Sequence, residues 1–277
     1  MPVLTPESLE EACRLLAADP GAVPMAGGTD LLVHWPQNLD AHGRTYLDLS
    51  RLDELRPLRW TDDALVLGAL TTYWDVIRDP RAGEEFPLLI AAGRQVGAVQ
   101  IQARGTWAGN VVNASPAADG VPVLMAYDAV VELASAEGTE EVPLDAFYLG
   151  YKRMRRRGDQ LVAAIRLPRR AYDVAIFEKV GSRRAQAIAK VGLALTRSAA
   201  AGWRVVAASM APTVCRCRAL EKLLTDGAAV ASPDDLLAAI RQDVKPIDDV
   251  RSTAAYRERV MARVLYHALL GKAESFG

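Results

Sequence analysis

A stretch of small polar residues between two apolar stretches constrains this chain more than any other feature. Residues 104–116 are rich in Gly, Asn and Ser, and Asp119 and an apolar run follow them. This polar segment (residues 104–119) is not predicted to form one regular element along its whole length. It would nevertheless be partly buried, and buried polar groups need hydrogen-bond partners. Two interpretations stay open: a segment that wraps an extended diphosphate ligand, or a long polar loop.

A pair of glycines at the end of a predicted strand is the second feature. Residues 22–26 predict a short strand that runs directly into Gly27-Gly28-Thr29-Asp30. Such a turn presents several backbone N–H groups and allows close approach, as a phosphate-binding turn requires. The pattern matches neither G-x-G-x-x-G nor the P-loop, since no Lys follows in register. An ordinary strand-to-helix turn is the alternative for this glycine turn (residues 26–30).

The composition of the 277 residues restricts the class of protein. Hydrophobic residues make up 51%, which excludes disorder as the main state. The 33 basic and 34 acidic residues give a net charge of −1, so charge gives no reason to expect nucleic acid or an anionic membrane as partner. No apolar run approaches the roughly 20 residues of a membrane span, and the N-terminus does not resemble a signal peptide. Three cysteines favour a reducing compartment, and we expect a cytoplasmic protein.

Other residues give weak signals for catalysis or metal binding. Cys215 and Cys217 are spaced C-x-C without a second pair, and no G-x-S-x-G motif is present, so we predict no metal site and no catalytic group. The basic run at residues 152–157 is interpreted as a solvated loop. The strand and basic turn at residues 177–184 could close over a ligand, although a solvated turn is the simpler interpretation.

Helix and strand patterns alternate in the manner of an α+β protein. Thr5 is predicted to cap a first helix, and Asp119 is predicted to cap a buried helix that begins near residue 120. Strand patterns dominate residues 161–210. One face of a closing helix is predicted to carry Tyr256, Val260, Val264, Leu265 and Ala268.

Four segments together resemble one known family, the FAD-binding medium subunits of molybdenum hydroxylases, which include relatives of xanthine dehydrogenase and aerobic carbon monoxide dehydrogenase. These segments are PMAGGTDLL (24–32), GTWAGNVVNASPAADGVPVLMAYDA (105–129), FEKVGSRRAQAIAKVGLAL (177–195) and IDDVRSTAAYRERVMARVL (247–265). They occur in the family's order, and the resemblance covers about residues 1–271.

The resemblance implies an α+β fold of three parts. Two subdomains, residues 1–55 and 56–170, would form an FAD-binding fold of the vanillyl-alcohol-oxidase (PCMH-like) type. Residues 171–277 would form a C-terminal domain with an antiparallel sheet and helices. A self-contained cofactor-dependent enzyme would need a general base near the flavin, and the sequence offers no clear one.

The resemblance also implies the residues that bind FAD. They are Met25, Ala26, Gly27, Gly28, Thr29, Asp30 and Leu31 around the diphosphate; Thr106, Ala108, Gly109, Asn110 and Asn113 along the ribityl-diphosphate; and Asp119, Val162 and Lys179 at other contacts. The chain departs from the family at Ala108, where a glycine is usual, and at Gln102-Ala103, where Arg-Asn is common. A β-carbon at Ala108 requires a negative φ or some slack in the backbone.

The implied function is electron transfer through FAD within a larger complex. A large subunit would carry the molybdenum cofactor, a small subunit would carry two 2Fe-2S clusters, and FAD on this chain would reduce an external acceptor. A dimer of heterotrimers is the expected assembly. A self-contained FAD-dependent oxidoreductase and a scaffold without cofactor are the alternatives, and intact glycines in both segments argue against the scaffold.

Overall fold

A small parallel sheet forms the N-terminal part of the chain. The computed structural model describes residues 2–34 and 43–271. Strands β1 (Val3–Leu4) and β2 (Val23–Met25) both pair in parallel with β3 (Tyr46–Asp48), which lies between them. Helix α1 (Leu9–Ala18) supplies the crossover between β1 and β2, and the short helix α2 (Leu31–His34) follows β2. The glycine turn therefore connects the end of β2 to the start of α2.

Helix α1 begins three residues later than the sequence predicts. Its N-cap is Ser8, whose hydroxyl accepts a hydrogen bond from the N–H of Glu11 at 3.1 Å. The prediction of Thr5 as the cap is wrong, because Ser8 offers an equivalent hydroxyl one turn closer to the apolar face. Ala12 and Leu16 are buried on that face, as their spacing predicts.

A five-stranded antiparallel sheet forms the middle part. In spatial order its strands are β4 (Leu58–Trp60), β5 (Ala64–Gly68), β10 (Leu161–Pro168), β6 (Val130–Ser135) and β7 (Gly138–Pro143). Between β5 and β6 run six short helices: α3 (Tyr73–Arg78), α4 (Pro80–Glu85), α5 (Pro87–Gly93), α6 (Val99–Gln102), α7 (Trp107–Asn113) and α8 (Gly120–Ala126). A hairpin of β8 (Tyr148–Gly150) and β9 (Arg153–Met154) precedes β10.

Helix α7 lies inside the polar segment, where the composition favoured irregular structure. Thr106 is its N-cap, and the Thr106 hydroxyl accepts a hydrogen bond from the N–H of Gly109 at 3.0 Å. Ala108 is therefore helical, with the negative φ that its β-carbon requires. Ala114, with a φ of 49°, ends the helix in the left-handed region. Seven residues of the segment are thus regular, and the remainder turns the chain toward α8.

A four-stranded antiparallel sheet forms the C-terminal part. Its strands, in spatial order, are β11 (Val174–Val180), β12 (Val191–Ser198), β13 (Gly202–Ala208) and β14 (Cys215–Arg216). The helices that follow are α9 (Arg218–Thr225), α10 (Leu237–Asp243) and α11 (Ala254–Leu269). The predicted α+β class is confirmed, whereas the domain limits near residues 55 and 170 stay predictions.

The two faces of the C-terminal sheet belong to two different cores. Ala194 and Val206 pack into the core that contains α8 and the five-stranded sheet. Leu193 and Leu195, which alternate with them, pack into a second core with helices α9 to α11. This alternation follows from the two-residue period of a strand. The C-terminal sheet therefore packs directly against the part of the molecule that carries both glycine-containing segments.

The buried face of α11 differs from the predicted face. Leu265 and Ala268 are buried as predicted, but Tyr256 is 41% exposed. Met261 and the charged residue Arg257 are buried instead. The buried face of α11 is therefore rotated from the predicted face. The sequence pattern does not reveal this face, because a buried arginine carries no apolar signal.

Asp128 joins the middle and C-terminal parts through an ionic cluster. It lies between α8 and β6 with a φ of 52°. Its carboxylate accepts hydrogen bonds from the guanidinium of Arg204 on β13, at 2.6 Å, and from Arg170. Burial raises the pKa of this carboxyl, but the hydrogen bonds and charges of the two arginines lower it further, so the net shift is downward.

Candidate cofactor site

A cavity of about 760 Å³ lies where the glycine turn, helix α7 and the start of β10 meet. Ile188, in the loop between β11 and β12, lines the cavity from the C-terminal part. A volume in this range is typical of sites for cofactors and other small molecules.

The glycine turn and the polar segment contact each other backbone to backbone. A β-carbon built on Gly27 would lie 1.8 Å from the carbonyl oxygen of Arg104, which no structure tolerates. The Arg104 guanidinium in turn lies 3.4 Å from the carbonyl oxygen of Gly27 and donates to it. The absence of a side chain at Gly27 therefore allows two segments that are distant in sequence to form one wall.

Gly28 has a different role, because its φ of 71° is left-handed. A β-carbon on Gly28 would make only ordinary van der Waals contacts, and its nearest neighbour would be the side chain of Leu32 at 3.7 Å. The backbone N–H groups of Gly27, Gly28 and Thr29 donate to no acceptor within residues 2–34 and 43–271. The turn therefore presents unpaired donors at the cavity wall, which suits an anionic group.

Polar side chains tie the polar segment to its neighbours. The Asn113 amide donates to the Asp30 carboxylate at 2.9 Å. The Lys152 ammonium, on the hairpin of β8 and β9, donates to the carbonyl of Asn113 at 2.6 Å and to its side-chain oxygen at 2.5 Å. These three residues line the cavity and fix the distance between the glycine turn, α7 and the hairpin.

Two buried polar atoms of cavity-lining residues lack a partner in the described part of the chain. One is the side-chain oxygen of Asn110. This oxygen lies close to Gly120, since a β-carbon built on Gly120 would be only 2.8 Å from it. The Nε of Arg156 is the other, and burial lowers the pKa of this guanidinium. Since buried polar groups are normally hydrogen-bonded, unpaired ones beside a cavity fit a site built for a polar ligand.

Asp119 and Lys179 form a largely buried ion pair. The Lys179 ammonium donates to the Asp119 carboxylate at 2.6 Å and to the carbonyl oxygen of Gln95 at 3.1 Å. Asp119 makes no side-chain hydrogen bond to α8, so its predicted role as a helix cap is wrong. Burial raises the pKa of Asp119, and the nearby positive charge of Lys179 opposes this shift. The pair connects the polar segment to β11.

The structure brings most of the residues predicted to bind FAD to this one cavity. Those that line it are Ala26, Gly27, Gly28, Thr29, Asp30, Leu31, Thr106, Ala108, Gly109, Asn110, Asn113 and Val162. Met25, Asp119 and Lys179 do not line it. The assignment of each residue to a part of FAD stays a prediction.

Several residues that line the cavity were not among the predicted site residues. Lys152 and Arg156 were interpreted as part of a solvated basic loop, yet both line the cavity. Tyr73, Val96, Ile101 and Ile188 add apolar surface. Ile188 alone had a signal in the sequence, since it follows the strand and basic turn that was considered as a lid.

The described ranges hold no group of three or more His, Cys, Asp and Glu side chains that could bind a metal ion. No helix in these ranges is both long and apolar enough to cross a membrane.

Comparison with known proteins gives matches over almost the whole chain. Residues 1–170 match the FAD binding domain in molybdopterin dehydrogenase, and residues 168–271 match the CO dehydrogenase flavoprotein C-terminal domain. The xanthine dehydrogenase FAD-binding subunit of Escherichia coli O157:H7 is 28% identical over 90% of this chain and 88% of its own length.

Two further relatives agree with these matches. The glyceraldehyde dehydrogenase medium chain of Sulfolobus acidocaldarius is 32% identical over 68% of this chain and 67% of its own length. Among solved structures, a carbon monoxide dehydrogenase from Hydrogenophaga pseudoflava, in a form that lacks the Mo-pyranopterin moiety of the molybdenum cofactor, has a TM-score of 0.88 with 27% identity. That match covers 98% of this chain and 96% of the other. The chain therefore belongs to the family of FAD-binding subunits of xanthine dehydrogenase- and carbon monoxide dehydrogenase-type oxidoreductases.

Proposed function

We propose that the cavity between the glycine turn and α7 holds FAD, and that this chain passes electrons from iron–sulfur clusters on a partner subunit to an external acceptor. One observation carries the proposal. Two segments distant in sequence meet at a single cavity, and both present unpaired polar groups to it: the N–H groups of the glycine turn and the side-chain oxygen of Asn110.

The residues present suit the chemistry of FAD. The N–H groups of Gly28 and Thr29 would donate to the diphosphate, and the cations of Lys152 and Arg156 would offset its negative charge. Asn110 would contact the ribityl-diphosphate. When bound, FAD supplies the redox chemistry of the complex, accepting and releasing electrons. The role of the chain's own residues is to bind the cofactor, orient it and exclude water from it.

The electron donor is proposed to be a separate chain. A protein-bound 2Fe-2S cluster is held by four ligands, usually cysteine thiolates. This chain has only Cys13, Cys215 and Cys217, and Cys13 lies on α1 while the other two lie at β14. The name of the carbon monoxide dehydrogenase structure that this chain resembles refers to a molybdenum cofactor. A large molybdenum-cofactor subunit, a small iron–sulfur subunit and a dimer of such heterotrimers are therefore the proposed partners.

Titration of the purified chain, freed of bound flavin, with FAD tests the first part of the proposal. We expect one FAD to bind per chain, measured by the change in flavin fluorescence. ADP should compete with FAD because it carries the same diphosphate, and riboflavin should bind more weakly because it lacks one. Failure of FAD to bind a folded chain would overturn the proposed function.

A further inference from the structure

Ser209 connects three parts of the molecule through three hydrogen bonds. Its backbone N–H donates to the carbonyl oxygen of Pro116 at 2.7 Å, and its hydroxyl donates to the carbonyl oxygen of Ala189 at 2.8 Å. Its own carbonyl oxygen accepts a hydrogen bond from Arg257 at 2.7 Å. Pro116 belongs to the polar segment, Ala189 follows the cavity residue Ile188, and Arg257 lies on α11. Ser209 is therefore a junction between α11 and two segments that each contribute residues to the cavity.

The backbone at this junction is strained. Ser209 has a φ of 63°, in the left-handed region that favours glycine, and it is 6% exposed. A residue other than glycine persists there only when the surrounding structure holds it in place. The three hydrogen bonds supply that restraint, and the one from Arg257 is the only one donated by a charged group.

Arg257 is itself fixed by two neighbours from the turn that precedes α11. Its Nε donates to the hydroxyl of Ser252 at 2.9 Å, and its Nη2 forms an ion pair with the carboxylate of Asp249 at 2.7 Å, without hydrogen-bond geometry. The guanidinium side chain is 5% exposed. Because a guanidinium is planar, two fixed nitrogens also fix the direction of the third, Nη1, which donates to Ser209.

We propose that Arg257 is a positioning residue for the FAD site. It holds Ser209 in the left-handed conformation. Ser209 in turn holds Pro116, three residues after the cavity residue Asn113, and Ala189, which directly follows the cavity residue Ile188. Arg257 does not line the cavity, so it acts only through these contacts. The inference rests on the proposed function, since it takes the ligand of the cavity to be FAD.

The first variant that tests this role is Arg257→Met, in the full chain freed of flavin. We expect the dissociation constant of FAD to rise roughly 2- to 30-fold, the range seen for residues that couple to a site without touching the ligand. The circular dichroism of the bound flavin should change as well, because the cavity walls shift. Arg241→Met is the matched control: the exposed Arg241, on α10, forms an ion pair with Glu258, the neighbour of Arg257 on α11, and its removal should change neither quantity.

A second substitution tests the mechanism through Ser209. Glycine adopts a left-handed φ without steric cost, so Ser209→Gly makes the conformation independent of Arg257, although it loses the bond to Ala189. We expect Arg257→Met to weaken FAD binding less in the Ser209→Gly background than in the wild-type background. Equal fold-changes in both backgrounds would contradict the proposed route.

The outcomes separate this inference from the proposed function. If the wild-type chain does not bind FAD, the proposed function fails. If the wild type binds FAD and Arg257→Met binds it with unchanged affinity and spectrum, while only the unfolding free energy of the flavin-free protein falls, Arg257 is merely structural and the inference is overturned. Should Arg257→Met not fold, Ser252→Ala removes the hydroxyl that orients Arg257; it should raise the dissociation constant by a smaller factor, and an unchanged value would also overturn the inference.

Discussion

Gly27 and Gly28 are adjacent in the chain, but the structure requires them for different reasons. At Gly27 a side chain would collide with the backbone of Arg104, so this glycine allows two segments to meet. At Gly28 there is space for a side chain, but the left-handed backbone disfavours one. The sequence suggested that both glycines made room for a ligand. The structure instead assigns one to segment packing and the other to the shape of the turn.

Gly28→Val is expected to reduce FAD binding by disturbing the turn. A β-branched residue at a φ of 71° costs at least about 1–2 kcal/mol, and the turn can relieve this strain only by redirecting its N–H groups. The measurement is the dissociation constant of FAD for the flavin-free protein. Gly227→Val is the control, because Gly227 has a φ of 68° and open surroundings but lies away from the cavity. Gly227→Val should lower stability without changing the affinity for FAD. Unchanged FAD affinity in a folded Gly28→Val protein would contradict the role of the turn.

Asp119→Ala tests whether this carboxylate acts as a helix cap or as an ion-pair partner. The loss of a cap alone would cost about 1 kcal/mol of unfolding free energy. Because Asp119 instead pairs with the buried Lys179, we expect a loss of about 3–5 kcal/mol, as the ammonium is left without its counter-charge.

Denaturant unfolding of the flavin-free protein gives the measurement for this pair. The double variant Asp119→Ala/Lys179→Met should lose less stability than the sum of the two single variants. Additive losses of stability, with a loss of about 1 kcal/mol from Asp119→Ala alone, would instead support the role of Asp119 as a helix cap.

At the scale of elements, the sequence predicts those features whose cause is local. The strand before Gly27 and the buried helix at residues 120–126 follow from short-range hydrophobic patterns. Helix α7 was missed although Thr106 is a good cap for it, because the small polar residues around it dominate the pattern.

Features that depend on contacts between distant residues could not be predicted in this way. Lys179 contacts Asp119 because β11 packs beside the polar segment. Arg156 lines the cavity because of the way the hairpin of β8 and β9 folds. Arg257 is buried because Ser209 and Asp249 meet it in the folded chain. A charged side chain carries no sign of such partners in the sequence. The candidate site was therefore predictable where it consists of backbone turns and not where it consists of cations.

Asp128, which links the middle sheet to the C-terminal sheet, should make stability depend on pH under acidic conditions. Its folded pKa lies below the usual value of about 3.9 for a carboxyl in the unfolded chain. The stabilisation is therefore fully present above that unfolded value and is lost as the pH falls toward the folded pKa. We expect Asp128→Asn to cost about 1.5–3 kcal/mol at pH 7, and the gap to the wild type to narrow as the pH falls from 5 to 3.

Unfolding in denaturant across this pH range provides the measurement for Asp128. Asp53→Asn serves as control, since the Asp53–Arg56 pair is exposed and should leave the pH profile of the wild type unchanged. A gap between Asp128→Asn and the wild type that stays constant with pH would show that the ionised carboxylate is not what joins the two parts.

At the scale of the whole molecule, the cavity is assembled from the N-terminal, middle and C-terminal parts that the structure describes. The glycine turn comes from the N-terminal part, α7 and the start of β10 from the middle part, and Ile188 from the C-terminal part. The chain offers no four-cysteine set for a cluster of its own, so the proposed electron supply must reach the cavity across a surface shared with another subunit. A permanent interface of this kind is expected to bury on the order of 2,000 Å² or more.

The isolated chain loaded with FAD is therefore expected not to be reduced by the organic substrate of its parent complex. The measurement is anaerobic mixing, followed in the flavin absorbance band. The flavin of the isolated chain should stay oxidised, whereas the flavin absorbance of the assembled complex should fall as the flavin is reduced. Dithionite, which reduces a flavin directly, is the control that the bound FAD is competent. Rapid, stoichiometric bleaching of the isolated chain by that substrate would favour the self-contained oxidoreductase.

The hydrogen bond between Ser209 and Arg257 joins two segments that are synthesised at different times. The ribosome makes the glycine turn, α7 and Ile188 well before it makes α11, and at about 5–20 residues per second several seconds separate them. The nascent chain thus carries the walls of the cavity before the helix that braces them has emerged. FAD is therefore expected to bind the nascent chain more weakly before α11 leaves the exit tunnel than after its release.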